Sequence, residues 1–258
     1  MSRPRPKLAV HKLASCDGCQ LTLLDCEDEL LALAELVNIA NFPEASSRIE
    51  PGPYDLVLVE GSITSAHDRE RIHRIRAEAR FLVTIGACAT SGGIQALRNF
   101  RDHDAMLRAV YARPEYLDSL STSTPVSDHV RVDFELRGCP IDKRQLLDVV
   151  ASFLAGKRPS VRAHSTCLDC KKKGNVCVMV VSGTPCLGPV THAGCDALCP
   201  TYDRGCFGCF GPADAAQVVP LGRRLREYGA SAGEVARLFH GFTAWSQPFR
   251  DEGDAHGD

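Results

Sequence analysis

A chain of 258 residues, 24 % of them charged and with a formal charge of −2, is long enough for one or two domains with a buried core. Near-neutral charge and 6 % aromatic residues exclude an electrostatic or base-stacking platform, so no nucleic-acid partner is expected. No run reaches the ~18 apolar residues of a membrane span. The opening MSRPRPKLAV has arginines but no apolar stretch of a secretory or twin-arginine signal, so a cytoplasmic protein is expected.

Lys7–Ala14 reads as a strand, followed by Ser15-Cys16-Asp17-Gly18-Cys19 and a helix over Gln20–Leu36 rich in Leu, Ala and Glu. Val37–Phe42 is a second apolar run, closed by Pro43, and Tyr54–Glu60 is a stronger one between Pro51-Gly52-Pro53 and Gly61. His67–Arg80 has the pattern of a charged amphipathic helix. Phe81–Ile85 is a buried strand ending in Gly86-Ala87-Cys88-Ala89-Thr90-Ser91-Gly92-Gly93, after which a helix and a loop-rich insert around Tyr111–His129 are expected. Val130–Leu136 alternates as a strand does and leads through Gly138-Cys139-Pro140 to a helix over Asp142–Leu154. Strands alternating with helices specify an α/β fold with a parallel sheet.

Ligands of such sheets sit beyond the carboxyl ends of the strands. Cys16, Cys19, Glu60, Cys88 and Cys139 all follow predicted strands, so one crevice is expected to gather four thiols and a carboxylate. After Gly156-Lys157-Arg158-Pro159 the composition changes, which divides the chain into 1–158 and 159–258. From Ser165 to Gly211, Gly, Pro and Cys dominate, and the segment is expected to need metal to fold. Leu221–Phe242 holds a helix or two, and Asp251–Asp258 reads as a frayed polar tail.

The thirteen cysteines carry the chemistry. Cys16, Cys19, Cys88 and Cys139 are dispersed. Eight more form the run Cys167-x₂-Cys170-x₆-Cys177-x₈-Cys186-x₈-Cys195-x₃-Cys199-x₆-Cys206-x₂-Cys209, and Cys26 is left over. A reducing compartment disfavours disulfides, and dense cysteines there bind metal. Twelve thiols are arithmetic for three four-cysteine centres. A [4Fe–4S] cube takes four thiolates; zinc does too, often through paired C-x₂-C knuckles, and two structural zincs also fit the dense run. Cys16-x₂-Cys19 between strand and helix is also a redox-dithiol pattern. That reading leaves Cys88 and Cys139 unexplained, each in a glycine-flanked turn where backbone N–H groups can approach sulfide. Cys195-x₃-Cys199-Pro200 echoes a bacterial ferredoxin ending without the full ferredoxin spacing.

Other residues have plainer readings. Cys26 is expected as a buried small hydrophobe, and Glu60 as a structural hydrogen-bonding group, with proton relay the alternative. His11, His164 and His192 are expected near or outside the centres rather than as ligands. Lys171-Lys172-Lys173 fits a solvated loop or a docking point for an acidic redox partner. Gly86–Gly93 lacks the Walker lysine and the Rossmann spacing, which argues against a phosphate site.

Together these segments resemble the small, electron-transferring subunit of [NiFe] hydrogenases. Ser15-Cys16-Asp17-Gly18-Cys19-Gln20, Val59-Glu60-Gly61-Ser62-Ile63, Gly86–Gly93 and Gly138-Cys139-Pro140 resemble its proximal-cluster motifs, in order. Cys186-Leu187-Gly188-Pro189-Val190-Thr191 and Cys206-Phe207-Gly208-Cys209 are similar to its distal and medial segments. The resemblance implies a flavodoxin-like domain, a second, loop-rich iron–sulfur domain and three [4Fe–4S] clusters. The implied proximal set is Cys16, Cys19, Cys88 and Cys139; the medial set Cys195, Cys199, Cys206 and Cys209; the distal set Cys167, Cys170, Cys177 and Cys186. Cys167 stands where the periplasmic branch has a histidine, and Cys199 completes a medial set that has three cysteines there. This complement resembles the cytoplasmic group that reduces NAD(P) or F420, including sulfhydrogenase delta subunits. The implied partners are a nickel-bearing large subunit and iron–sulfur/flavin NAD(P)-reductase subunits, with no catalytic residue on this chain. A complex I-type quinone reductase cluster subunit and a zinc-stabilised interaction module are the alternatives.

Overall fold

The computed structural model describes residues 4–257. Five strands, β1 (Lys7–Lys12), β2 (Asn38–Asn41), β3 (Tyr54–Glu60), β4 (Ala79–Ile85) and β5 (Phe134–Leu136), form one parallel sheet in the order β2-β1-β3-β4-β5. This is the flavodoxin-like order, and its reversal of direction falls between β1 and β3. Alternation along the strands builds two cores. Leu8, Val10, Leu56, Leu58, Val83 and Ile85 face α1 (Gly18–Leu24), α2 (Asp28–Leu36) and α6 (Lys143–Leu154). Ala9, Val57, Val59 and Leu82 pack on Ile72 and Ile75 of α3 (Ala66–Glu78). The Ser65 hydroxyl caps α3 by accepting from Asp68 N, and the Asp142 carboxylate caps α6 by accepting from Gln145 N.

The expected helix over Gln20–Leu36 is two helices. The chain breaks at Asp25–Glu27, with Glu27 at φ 43°, and Cys26 is fully buried in that turn. The expected strand over Val130–Leu136 shrinks to β5. At Asp133 the backbone N–H still donates to the Leu82 carbonyl at 2.9 Å, but it is the side chain that accepts from Leu82 N at 2.8 Å, and it pairs with Arg76 at 2.7 Å. After α4 (Gly86–Ser91) the expected helix is a 3-10 segment, Ile94–Phe100, followed by α5 (His103–Val110).

Beyond residue 158 the cysteine-dense run contains only short helices, α7 (Thr166–Lys172), α8 (Val178–Ser182) and α9 (Leu198–Thr201). Its apolar support comes from downstream: Leu187 and Val190 pack with α10 (Val218–Glu227), α11 (Ala232–Phe239) and α12 (Gln247–His256) through Leu221, Leu225, Val235, Phe239 and Phe249. The expected polar tail is therefore wrong over the described residues. Glu252 is 4 % exposed and pairs with His256 at 2.9 Å, and the face of α12 beside it is sealed by Phe249. Polar composition hid a helix whose buried face consists of Phe249, Glu252 and Gly253. Asp258 lies outside the described residues.

Phe249 is 1 % exposed and meets Phe239 edge-on at 5.5 Å. Phe249→Ala should cost about 3–5 kcal/mol in urea unfolding of the second half; a shift under about 1 kcal/mol would show that α12 is not part of its core. His11, at the end of β1, accepts from Asn41 on Nδ1 at 3.2 Å, and burial followed by the Arg71 charge lowers its pKa from 6.5 to about 4. The folded state thus favours neutral His11 and binds fewer protons than the unfolded chain between these values. Stability should be undiminished above pH 6.5 and fall as pH drops toward 4, and His11→Gln should flatten that slope. An unchanged slope in the variant would assign the loss to other groups.

Candidate metal centres

All thirteen cysteines carry free thiols. The first four lie at the carboxyl edge of the sheet, beside the β1/β3 reversal. Cys16 follows β1, and Asp17, left-handed at φ 66°, turns the chain so that Gly18 and Cys19 open α1. Glu60, 1 % exposed at the end of β3, accepts from Cys19 N at 3.0 Å and from Gln20 Nε2 at 2.8 Å. Burial raises its pKa, while those hydrogen bonds oppose the rise. The carboxyl group therefore fixes the first turn of α1, and with it the Cys19 thiol; this is the structural role expected of it.

Cys88 lies in α4 and Cys139 in the loop after β5. The carbonyl of Gly138 accepts from Ala87 N at 2.7 Å, which ties the two loops together. Burial and then the Glu60 charge push the Cys19 thiol up, with Cys88 and Cys139 acting in the same direction. Burial pushes Cys88 up to about 11, with Cys139 and Cys16 adding to the rise. The structure thus brings Cys16, Cys19, Cys88 and Cys139 within one another's electrostatic reach. Glycine is required here. Gly86 has φ +85°, and a Cβ on it would collide with Cys19 Sγ; a Cβ on Gly93 would lie 2.7 Å from Cys88 Sγ.

In the dense run, too, thiols act on one another, and Cys186 acts on both Cys199 and Cys206. Cys167, pushed up to about 11 by burial, feels Cys186, Cys170 and Cys177. A Cβ on Gly188 would lie 3.3 Å from Cys186 Sγ and 3.5 Å from Cys167 Sγ, so these two sulfurs share one glycine. Cys209, also raised by burial, feels Cys206, Cys195, Cys139 and Cys199. Further links join these thiols. Cys209 and Cys139 connect the last set with the first, and Cys206, pushed up to about 12 by burial, donates its N–H to Cys186 Sγ at 3.2 Å. Gly188 N donates to the same sulfur at 3.4 Å. Such donors favour a thiolate over a thiol.

The donor set suits iron–sulfur chemistry: thiols only, glycines where sulfide would need space, and N–H groups aimed at sulfur. Among the described residues, no three His, Cys, Asp or Glu side chains close on a single-ion site. The histidines are engaged elsewhere. His164 pairs with Asp169 at 2.9 Å, and His192 Nδ1 donates to the Ala193 carbonyl at 2.8 Å. Cys26 is fully buried and donates to the Thr22 carbonyl at 3.4 Å, as a small core residue does.

Two contributors escape a reading of the sequence. Gln95 places Oε1 3.7 Å from Cys88 Sγ while its Nε2 donates to the Ala14 carbonyl at 2.7 Å, bridging the Cys16 and Cys88 loops. Phe210, 4 % exposed, packs on Gly138 and Gly194, filling the seam between the sheet edge and the dense run. Its position directly after Cys209 was the only sequence signal for it; Gln95 gave none.

The sequence profile of the family described as NADH ubiquinone oxidoreductase, 20 Kd subunit, matches residues 16–153. Sulfhydrogenase 2 subunit delta of Pyrococcus furiosus is 36 % identical over 239 residues, spanning 93 % of this chain and 100 % of that one. A vhu subunit of the F420-non-reducing hydrogenase of Methanocaldococcus jannaschii is 31 % identical over 259 residues, spanning 89 % of each. A chain of the NAD+-reducing [NiFe]-hydrogenase in the H2-reduced state superposes with TM-score 0.56 at 30 % identity, over 61 % of this chain and 95 % of that one. The [NiFeSe] hydrogenase of Desulfovibrio vulgaris Hildenborough matches 83 % of this chain and 96 % of its own at TM-score 0.53 and 17 % identity, a likeness of fold. The profile stops before the dense cysteine run, whereas the sulfhydrogenase and vhu relatives span both halves. The chain belongs to the NADH ubiquinone oxidoreductase 20 Kd subunit family and, within it, to the [NiFe] hydrogenase small subunits of the sulfhydrogenase delta type.

Proposed function

We propose that this chain is the electron-transfer subunit of a cytoplasmic [NiFe] hydrogenase. In this reading it relays electrons between the Ni–Fe site of a large partner subunit and an iron–sulfur/flavin partner that reduces NAD(P), or F420 as the alternative acceptor. Cys16, Cys19, Cys88 and Cys139 hold the proximal [4Fe–4S] cluster, Cys195, Cys199, Cys206 and Cys209 the medial one, and Cys167, Cys170, Cys177 and Cys186 the distal one. The observation that carries the reading is that the cysteines neighbour one another from the sheet edge into the dense run: Cys139 adds to the upward push on Cys209, and the Cys206 N–H donates to Cys186 Sγ at 3.2 Å.

A bound [4Fe–4S] cluster supplies one-electron redox chemistry. The chain's residues supply the holding. Glu60 and Gln95 position the Cys19 and Cys88 loops, Gly86, Gly93 and Gly188 keep Cβ atoms away from sulfur, and Phe210 excludes water from the seam between first and last sets. A division near Arg158 fits the separate cores of the two halves. The quinone-reductase alternative draws on the family description over residues 16–153; the full-length hydrogenase relatives and the eight further cysteines weigh against it. The hydrogenase relatives that span both halves of the chain weigh against a bare zinc module.

Anaerobic co-purification should recover a large nickel-containing subunit and a flavoprotein. Cys88→Ala in that complex should abolish H2-dependent dye reduction while hydrogen–deuterium exchange at the nickel site persists in part. Full dye reduction by the variant would contradict the proximal assignment.

A further inference from the structure

Between Cys195 and Cys199 two consecutive residues other than glycine, Asp196 and Ala197, take positive φ, 52° and 53°. Aspartate tolerates this region, but alanine stays in it only where its surroundings hold it there. Ala197 is fully buried, and its carbonyl accepts from Thr201 N at 3.1 Å and from Thr201 Oγ1 at 2.9 Å, so the turn runs directly into α9, which carries Cys199. The Asp196 carboxylate is engaged on both oxygens: Oδ2 accepts from Arg144 and Oδ1 from Arg162, each at 2.5 Å. Arg144 belongs to α6 in the sheet half, and Arg162 also donates to Asp169 at 3.0 Å, inside α7 between Cys167 and Cys170. Exposed ion pairs contribute little singly; here one carboxylate joins two guanidinium groups on separate segments. The two ends of the turn are held differently. Upstream, Ala193 N donates to the His164 carbonyl at 2.9 Å, and a Cβ on Gly194 would collide with the Phe210 ring, so Cys195 has an anchor of its own beside Cys209. Cys199 lies beyond the strained pair and depends on it.

We propose that Asp196 is a positioning residue for Cys199: clamped by Arg144 and Arg162, it keeps the left-handed turn that brings this fourth thiol to Cys195, Cys206 and Cys209. The proposal rests on the reading that these four thiols hold a [4Fe–4S] cluster. Without the clamp the turn relaxes toward negative φ and carries Cys199 away, leaving three thiolates and one iron without its protein ligand. Loss of that iron as Fe2+ from an oxidised [4Fe–4S]2+ cube breaks its bonds to sulfide and leaves [3Fe–4S]0. Thionine added in the assay then takes one electron, giving [3Fe–4S]+.

The test is EPR of the cluster-loaded full chain, purified anaerobically and oxidised with thionine, a state in which [4Fe–4S] cubes are silent and [3Fe–4S]+ is paramagnetic. The wild type should give no three-iron signal, and Cys199→Ala supplies the reference signal. Asp196→Ala should give the same signal, approaching about one spin per chain as one cube loses an iron. Asp196→Ala/Cys199→Ala should give no more than Cys199→Ala alone, because both act on one ligand. Asp196→Gly/Ala197→Gly removes the clamp and the strain together, and should roughly halve the signal of Asp196→Ala, since glycine takes positive φ freely. Arg144→Gln/Arg162→Gln should reproduce Asp196→Ala, and it gives the same readout if Asp196→Ala loses all cluster absorption. No three-iron signal in Asp196→Ala, or one that the paired glycines leave at full size, would overturn the proposal. A wild type without cluster absorption, or Cys199→Ala without a three-iron signal, would overturn it together with the cluster assignment beneath it, so the two failures are distinguishable.

Discussion

Burying a thiol favours its protonated form, and outside Cys26 this chain buries or half-buries ten of twelve thiols. The upward push on Cys19, Cys88, Cys167, Cys206 and Cys209 is led in each case by desolvation and reinforced by neighbouring thiols. Closely gathered thiolates repel one another, and only a strong positive charge at their centre makes the arrangement favourable. The rest of the structure can be understood as scaffolding for that requirement. The sheet edge collects four sulfurs, the glycine turns leave space, and the C-terminal helices clamp loops that have little apolar content of their own.

The two halves meet the requirement differently. In the first, rigidity comes from a parallel sheet with apolar residues on both faces, and the cysteines sit on loops that the strand ends aim. Glu60 shows how closely aim and fold are coupled, because the carboxylate that ends β3 also holds the first turn of α1. In the second half, Phe249 and Phe239 close over Leu187 and Val190, so packing on the C-terminal helices supports that stretch. Arg144 and Arg162 both bind Asp196, which ties α6 to the dense run and holds the Asp196 carboxyl down at about 2.

Much of this was legible in the sequence because it was written in strong signals. Continuous apolar runs located β3 and β4, glycine-flanked cysteines located the crevice, and Asp142 foretold the start of α6. In the dense run, spacing alone left zinc open, because two C-x₂-C pairs serve either metal. What stayed hidden depended on tertiary contact. The pairing of Asp133 with β4 shortened β5. The burial of Cys26 split a helix that propensity favoured as continuous. In α12, Glu252 and His256 look solvated in one dimension but satisfy each other inside the fold.

Iron, acid-labile sulfide and zinc determined on the anaerobically purified chain test most directly whether iron and sulfide bridge three sets of four thiolates. Three cubes predict about twelve irons and about twelve sulfides per chain. Stoichiometric zinc with negligible labile sulfide would contradict the cluster relay.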